Sequence, residues 1–133
     1  SIQMNGKDIT VLKILTLVTL TIVLAMAVFA VQNATRIRFA KGKSSATMSG
    51  TVGNAGMKDY ILRGNKGQEL SATVISTCES VQIIVIDNGT GNVISENPST
   101  EYADELPGTD DYIIRVQNSD SASCKFTLKV GIK

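Results

Sequence analysis

Between Lys58 and Ile75 the chain reads KDYILRGNKGQELSATVI, and its apolar positions set the frame for the rest. Tyr60 and Leu62 recur at period two, Asn65-Lys66-Gly67 interrupts, and Leu70, Ala72 and Val74 recur at period two again. Such alternation marks strands that bury one face. Gly67 tolerates the positive φ that a tight turn needs, so the two strands are expected to form a hairpin. The pattern is echoed by Asp111–Gln117 (DYIIRVQ) and Cys124–Ile132 (CKFTLKVGI).

Earlier, Thr35–Ala40 (TRIRFA) alternates and predicts a strand with Ile37 and Phe39 inward. Lys41-Gly42-Lys43 turns the chain into Ser44–Val52, where Ala46, Met48, Gly50 and Val52 are in phase. Gly53–Gly56 is a loop. Ser80–Ile86 (SVQIIVI) is almost continuously apolar and predicts a central strand covered on both faces. Asp87–Asn92 (DNGTGN) forms a turn, and Asn92–Ser95 begins a short partner strand. Glu96–Asp111 is the least regular stretch. It holds Pro98 and Pro107 and the acids Glu96, Glu101, Asp104, Glu105, Asp110 and Asp111, as a surface connection that carries function would. About eight short strands at this spacing predict an all-β fold, an antiparallel β-sandwich or jelly roll.

The N-terminus is different. Ile14–Val31 carries no charge and follows Lys7 and Lys13, a length between a signal peptide and a spanning helix. Residues 1–30 are therefore read as one hydrophobic helix, signal peptide or transmembrane anchor, and 31–133 as the sandwich domain. Ala25-Met26-Ala27 and Val28-Phe29-Ala30 offer small-residue cleavage patterns, and Gln32 and Asn33 turn polar at once. Arg36 and Arg38 alternate with Ile37 and Phe39 instead of clustering as after an anchor. This favours a cleaved signal, with Met4 as the start codon. Either way the domain is periplasmic or extracellular, and membrane-anchored only if the helix is retained. Cys78 and Cys124, the two cysteines, both fall in the exported part and predict one disulfide.

Composition narrows the function. Aromatics make up 5% and Trp is absent, so the core is built from Val, Ile and Leu, which favours strands. With no His, the histidine-based catalytic systems and usual zinc sites are excluded. A net charge of +1 does not point to nucleic acid. From Glu69 to Asp120, however, Arg115 is the one base among many acids, a surface that would steer a cationic partner. DNGTGN lacks the further acids of a calcium loop and reads as a turn. Asp110 and Asp111 are adjacent and point to opposite faces of a strand, so they form no acid pair. The sequons at Asn33 and Asn88 read as incidental. No nucleophile–base set, cofactor or metal site emerges, and no enzyme is expected.

Three segments carry a family likeness: RFAKGKSSATMSGTV, YILRGNKGQELSATV and LPGTDDYIIRVQNSDSASCKFTLKV. Phe39, Lys41-Gly42, Ser44-Ser45, Ser49-Gly50, Tyr60, Gly67-Gln68, Leu106-Pro107, Tyr112 and Arg115-Val116 fall in the order that resembles the periplasmic inhibitors of goose-type lysozyme. The resemblance covers roughly residues 29–133. It implies a β-sandwich whose surface loops block the lysozyme cleft, with Glu105, Thr109, Asp110, Asp111 and Tyr112 as partner-binding residues. Where such inhibitors commonly carry a Ser-Gly-x-Tyr loop, this chain has Thr109-Asp110-Asp111-Tyr112. The chain also looks like pre-peptidase C-terminal β-sandwich domains, which are generic binding modules. A membrane-tethered or filament-forming structural subunit with an external β-sandwich is the other alternative, and a homo-oligomer is a possible assembly.

Overall fold

The computed structural model describes residues 33–133, and the expected N-terminal helix lies outside the described residues. Eight strands follow in order: β1 (Thr35–Arg36), β2 (Ser45–Val52), β3 (Met57–Gly64), β4 (Glu69–Ser76), β5 (Val81–Asp87), β6 (Glu101–Glu105), β7 (Asp110–Asn118) and β8 (Cys124–Ile132). They form two four-stranded sheets, ordered β1-β3-β7-β5 and β2-β8-β4-β6. All ladders are antiparallel except the short parallel β1–β3 pair. Among the described residues no helix is long and apolar enough to cross a membrane.

The core lies between the sheets, built by the alternation that marks the strands. Leu62, Leu70, Ile83, Tyr112, Ile114 and Leu128 are all fully buried. Each such side chain contributes about 1.5–3 kcal/mol when buried. Tyr60 meets Phe126 edge to face, with ring centroids 6.3 Å apart. Gly50 leaves room for that Phe126 ring, whose Cζ lies 2.8 Å from where a Cβ would stand. Ile37 is buried and Phe39 packs against the core, as their phase predicts.

No two consecutive strands are neighbours in a sheet. The hairpin expected across Asn65–Gly67 is therefore not formed. β3 pairs with β7 through Tyr60↔Ile114 and Leu62↔Tyr112, while β4 pairs with β8 through Ala72↔Val130 and Val74↔Leu128. The Asn65–Gln68 corner carries the chain from one sheet to the other, and Gly67 does have a positive φ of 89° there. Both strands bury one face, so periodicity cannot tell a hairpin from a crossing; the apolar faces meet either across a turn or across the sandwich. The same holds for β7 and β8.

Three boundaries also differ. β1 stops at Arg36 because only Thr35 and Arg36 find ladder partners on β3. β5 is an edge strand, not a central one. Its outer side is covered by irregular chain: Ile83 N–H donates to Ser99 C=O (2.7 Å), Ile94 N–H to Val85 C=O (2.9 Å), and Val85 N–H to Ser95 Oγ (3.0 Å). That cover satisfies the edge backbone of β5, while Val81, Ile83 and Val85 are buried on the inner face and Gln82 and Ile84 are half-buried on the outer one. The expected Asn92–Ser95 strand is reduced to the Ile86↔Val93 bridge. Its place in the strand count is taken by β6, inside the segment expected to be irregular, because Glu101–Glu105 pairs with β4.

At the other end, Cys78 and Cys124 form the disulfide, with Cα atoms 6.1 Å apart. Asn118 closes the same end. Its Nδ2 donates to the carbonyls of Gly53 (3.2 Å) and Ala122 (2.7 Å), and its Oδ1 accepts from Ser80 Oγ (2.7 Å) and Asp120 N–H (3.1 Å).

Candidate functional site

The predicted site residues lie at the end of the sandwich opposite the disulfide. β6 runs out at Glu105, Leu106 dives into the core, and Pro107–Thr109 crosses to β7. Leu106 fits there because position 64 has no side chain: a Cβ at Gly64 would overlap Leu106 Cδ1. The crossing is tied to the Asn65–Gln68 corner beside it. Gly67 N–H donates to Leu106 C=O (3.1 Å), Leu106 N–H to Gln68 C=O (2.7 Å), and Lys66 N–H to Thr109 Oγ1 (3.0 Å). Gln68 Oε1 also accepts from Asn65 N–H at 2.8 Å. Two loops thus form one rigid surface, and Asn65, Lys66 and Gln68 belong to it, although the sequence reading left them in a turn. The Gly67-Gln68 pair was their only signal.

Tyr112 sits beneath this surface, not on it. Its side chain is 0% exposed. The hydroxyl donates to Gly108 C=O and accepts from Gly108 N–H (3.3 Å), so it is a post that fixes the loop from below. Burial pushes its phenol up from the ordinary value. The Gly108 amide opposes this, and the nearby Asp87 and Asp110 charges add to it.

The acids divide by role. Asp110 Oδ1 accepts from the Asp111 backbone N–H at 2.8 Å, and its carboxylate lies against Gly89. Asp111 pairs with Arg36 (3.2 Å) on the outer face. The two carboxylates point apart, as expected of neighbours on a strand. Glu96, Glu101, Asp104 and Glu105 form no ion pair among the described residues. Glu96, Glu101 and Asp104 rim a shallow cleft with Ile83, Ile94 and Tyr102. Tyr102's phenol is raised by burial first and then by Asp104 and Tyr112. The DNGTGN stretch is a turn: Asp87 Oδ1 accepts from Gly89 N–H at 2.9 Å, and Gly91 takes a positive φ of 76°. On the outer face of the first sheet, Arg115 grips Asp59 through two bonds of 2.8 and 2.9 Å. That carboxylate holds the guanidinium more firmly protonated, against the opposing effect of burial. Among the described residues no cluster could hold a metal ion.

What these features define is a loop-bearing, disulfide-closed β-sandwich. No protein-family model matches the sequence, and no curated protein sequence matches it. Solved structures do. The periplasmic lysozyme inhibitor of g-type lysozyme PliG from Aeromonas hydrophila is similar with a TM-score of 0.67 at 20% identity, over 76% of this chain and 96% of that one. PliG from Salmonella Typhimurium is similar with a TM-score of 0.61 at 20% identity, over 76% and 98%. The pre-peptidase C-terminal domain of a Bacillus anthracis collagenase is similar with a TM-score of 0.54 at 13% identity, over 75% and 94%. The sandwich is thus shared with both groups that the sequence resembles.

Proposed function

We propose that this chain is an exported, non-enzymatic binding protein that inhibits a goose-type lysozyme, presenting the loops at one sandwich end to the enzyme's cleft. The observation that carries this reading is the pinned loop surface at Glu105–Asp111, on a fold similar to two g-type lysozyme inhibitors over nearly their whole length. A plug must enter a cleft without losing much freedom, and pre-formed loops keep that cost low. Glu105, Thr109, Asp110 and Asp111 make the contact in this reading, Lys66 flanks them, and Tyr112 holds the loop from beneath. Glu101, Asp104 and Glu105, which form no ion pair among the described residues, steer the approach of a cationic enzyme. The setting is periplasmic or extracellular, where the disulfide is stable.

The test is lysis of purified cell walls by goose-type and hen-type lysozymes with the protein added. Inhibition of the goose type is expected, with an association rate that falls as salt rises. No inhibition at micromolar excess sinks the proposal.

A further inference from the structure

Each sheet has two edges, and exposed backbone along an edge invites pairing with another strand unless something blunts it. Three of the four are blunted here. β1 is two residues long, β5 is covered by the 93–99 segment, and β6 is five residues with Glu101, Asp104 and Glu105 among them. β2 is the exception: eight residues, SATMSGTV, with no charge and no proline.

The phase of β2 shows what its edge offers. Ile132 N–H donates to Ser44 C=O (2.9 Å), so residues in step with Ser44 bond to β8. Ser45, Thr47, Ser49 and Thr51 alternate with them and turn their N–H and C=O groups away. Among the described residues these four have no main-chain partner. Their side chains are exposed, while Ala46, Met48 and Gly50 on the inner face are half-buried. On the outer face the exposed Lys129 and Lys125 of β8 stand opposite Thr47 and Thr51, and on the inner face Lys58 has its Nζ over the Tyr60 ring at 5.7 Å.

We infer that β2 is a dimerisation edge, which pairs antiparallel with β2 of a second copy across a two-fold axis at Met48. This register brings all four outward residues of each strand into use, Ser45 opposite Thr51 and Thr47 opposite Ser49. It sets hydroxyls against hydroxyls on the outer face and Met48 against Met48 on the inner one. β2 itself brings no charge to the seam, and Lys125 and Lys129 of the two copies stand one strand back on either side, with both β2 strands between them, so the self-complementary rows of hydroxyls meet without a like-charge contact. The two β2-β8-β4-β6 sheets become one continuous sheet. β6 lies at the far edge from β2, so the Glu105–Tyr112 loops of both copies stay open and the dimer is two-headed.

The experiment uses the full chain in mild detergent. Met48→Cys is oxidised with copper-phenanthroline and compared with Ser49→Cys on non-reducing gels. Self-pairing at Met48 is expected to give at least tenfold more covalent dimer, because an antiparallel pair on the axis falls within disulfide reach. In parallel, Ser49→Lys and Ser49→Glu are run alone and mixed in sedimentation equilibrium. The two Ser49 positions lie on a diagonal across the axis with Lys125 and Lys129 beside each, so Ser49→Lys alone is expected to dimerise at least tenfold more weakly and its mixture with Ser49→Glu to recover. Equal cross-linking at Met48 and Ser49, or association unchanged in both charged variants, overturns the proposal; the latter would assign self-association to another part of the chain.

Discussion

Leu106 fills the space that a side chain at position 64 would need, with Tyr112 Cδ2 3.5 Å from the same point. Gly64 is therefore a socket, and the loop surface rests on Leu106 seated in it. Gly64→Ala is expected to cost about 1–3 kcal/mol in urea unfolding, because overpacking forces a buried side chain to move. The amides of Gly67 and Leu106 should exchange faster, since both hydrogen bonds depend on the seat. Gly108→Ala is the control: nothing lies within 4 Å of a Cβ there, and a change within about 0.5 kcal/mol is expected.

Alkaline pH tests the buried phenols. Burial holds Tyr112 and Tyr102 above a phenol's ordinary value of about 10. The unfolded chain then loses these protons first. The stability they provide is whole below about pH 10 and is lost as pH rises through the folded values. Tyr112→Phe should flatten part of that fall, leaving the share due to Tyr102. It should also cost about 1 kcal/mol at neutral pH, as Gly108 loses its partner.

Asn118 is 2% exposed and joins the loops after β2 and β7. Asn118→Ala leaves buried carbonyls and the Ser80 hydroxyl without their partner, and a loss of about 1–3 kcal/mol is expected in thermal or urea unfolding. Asn118→Asp keeps the size but turns a carboxylate toward the Gly53 and Ala122 carbonyls. Its loss should be larger at neutral pH and shrink in acid, where a protonated carboxyl can donate.

Reducing the Cys78–Cys124 bond, which spans 46 residues, frees the unfolded chain. Chain-entropy arguments put the expected loss at about 4 kcal/mol, read as a lower urea midpoint in dithiothreitol. Cys78→Ser with Cys124→Ser should reproduce it without reductant.

Much of this architecture was legible in the residues. The strands around Tyr60, Leu70 and Ile114 follow from period-two burial, and the disulfide from two cysteines in the part of the chain read as exported. Strand partnership was not legible, because Leu62 and Leu70 show a buried face each without saying which sheet it belongs to. β6 was masked by its acids and flanking prolines: Tyr102 alone of its five side chains packs against the core, so no alternation appears. The family resemblance pointed to Glu105, Thr109, Asp110 and Asp111, but Lys66 and Asn65 lie beside them only through the fold. Tyr112 belonged to the same motif, and only the packing shows it facing inward.

The absence of paired consecutive strands bears on how the molecule reaches its shape. With the Ile86↔Val93 bridge as the local pairing across a short turn, β3 must still find β7 across some fifty residues, and β4 must find β8 across a similar span. Folding is expected in the millisecond-to-second range of β-rich topologies, slower than local turns would allow. Cys78 follows β4, and Cys124 opens β8. If those sulfurs join early, Ser76 and Phe126 are already held near their ladder positions, and the search of β4 for β8 shortens. With export as proposed, oxidation would then govern the rate of maturation as well as its endpoint.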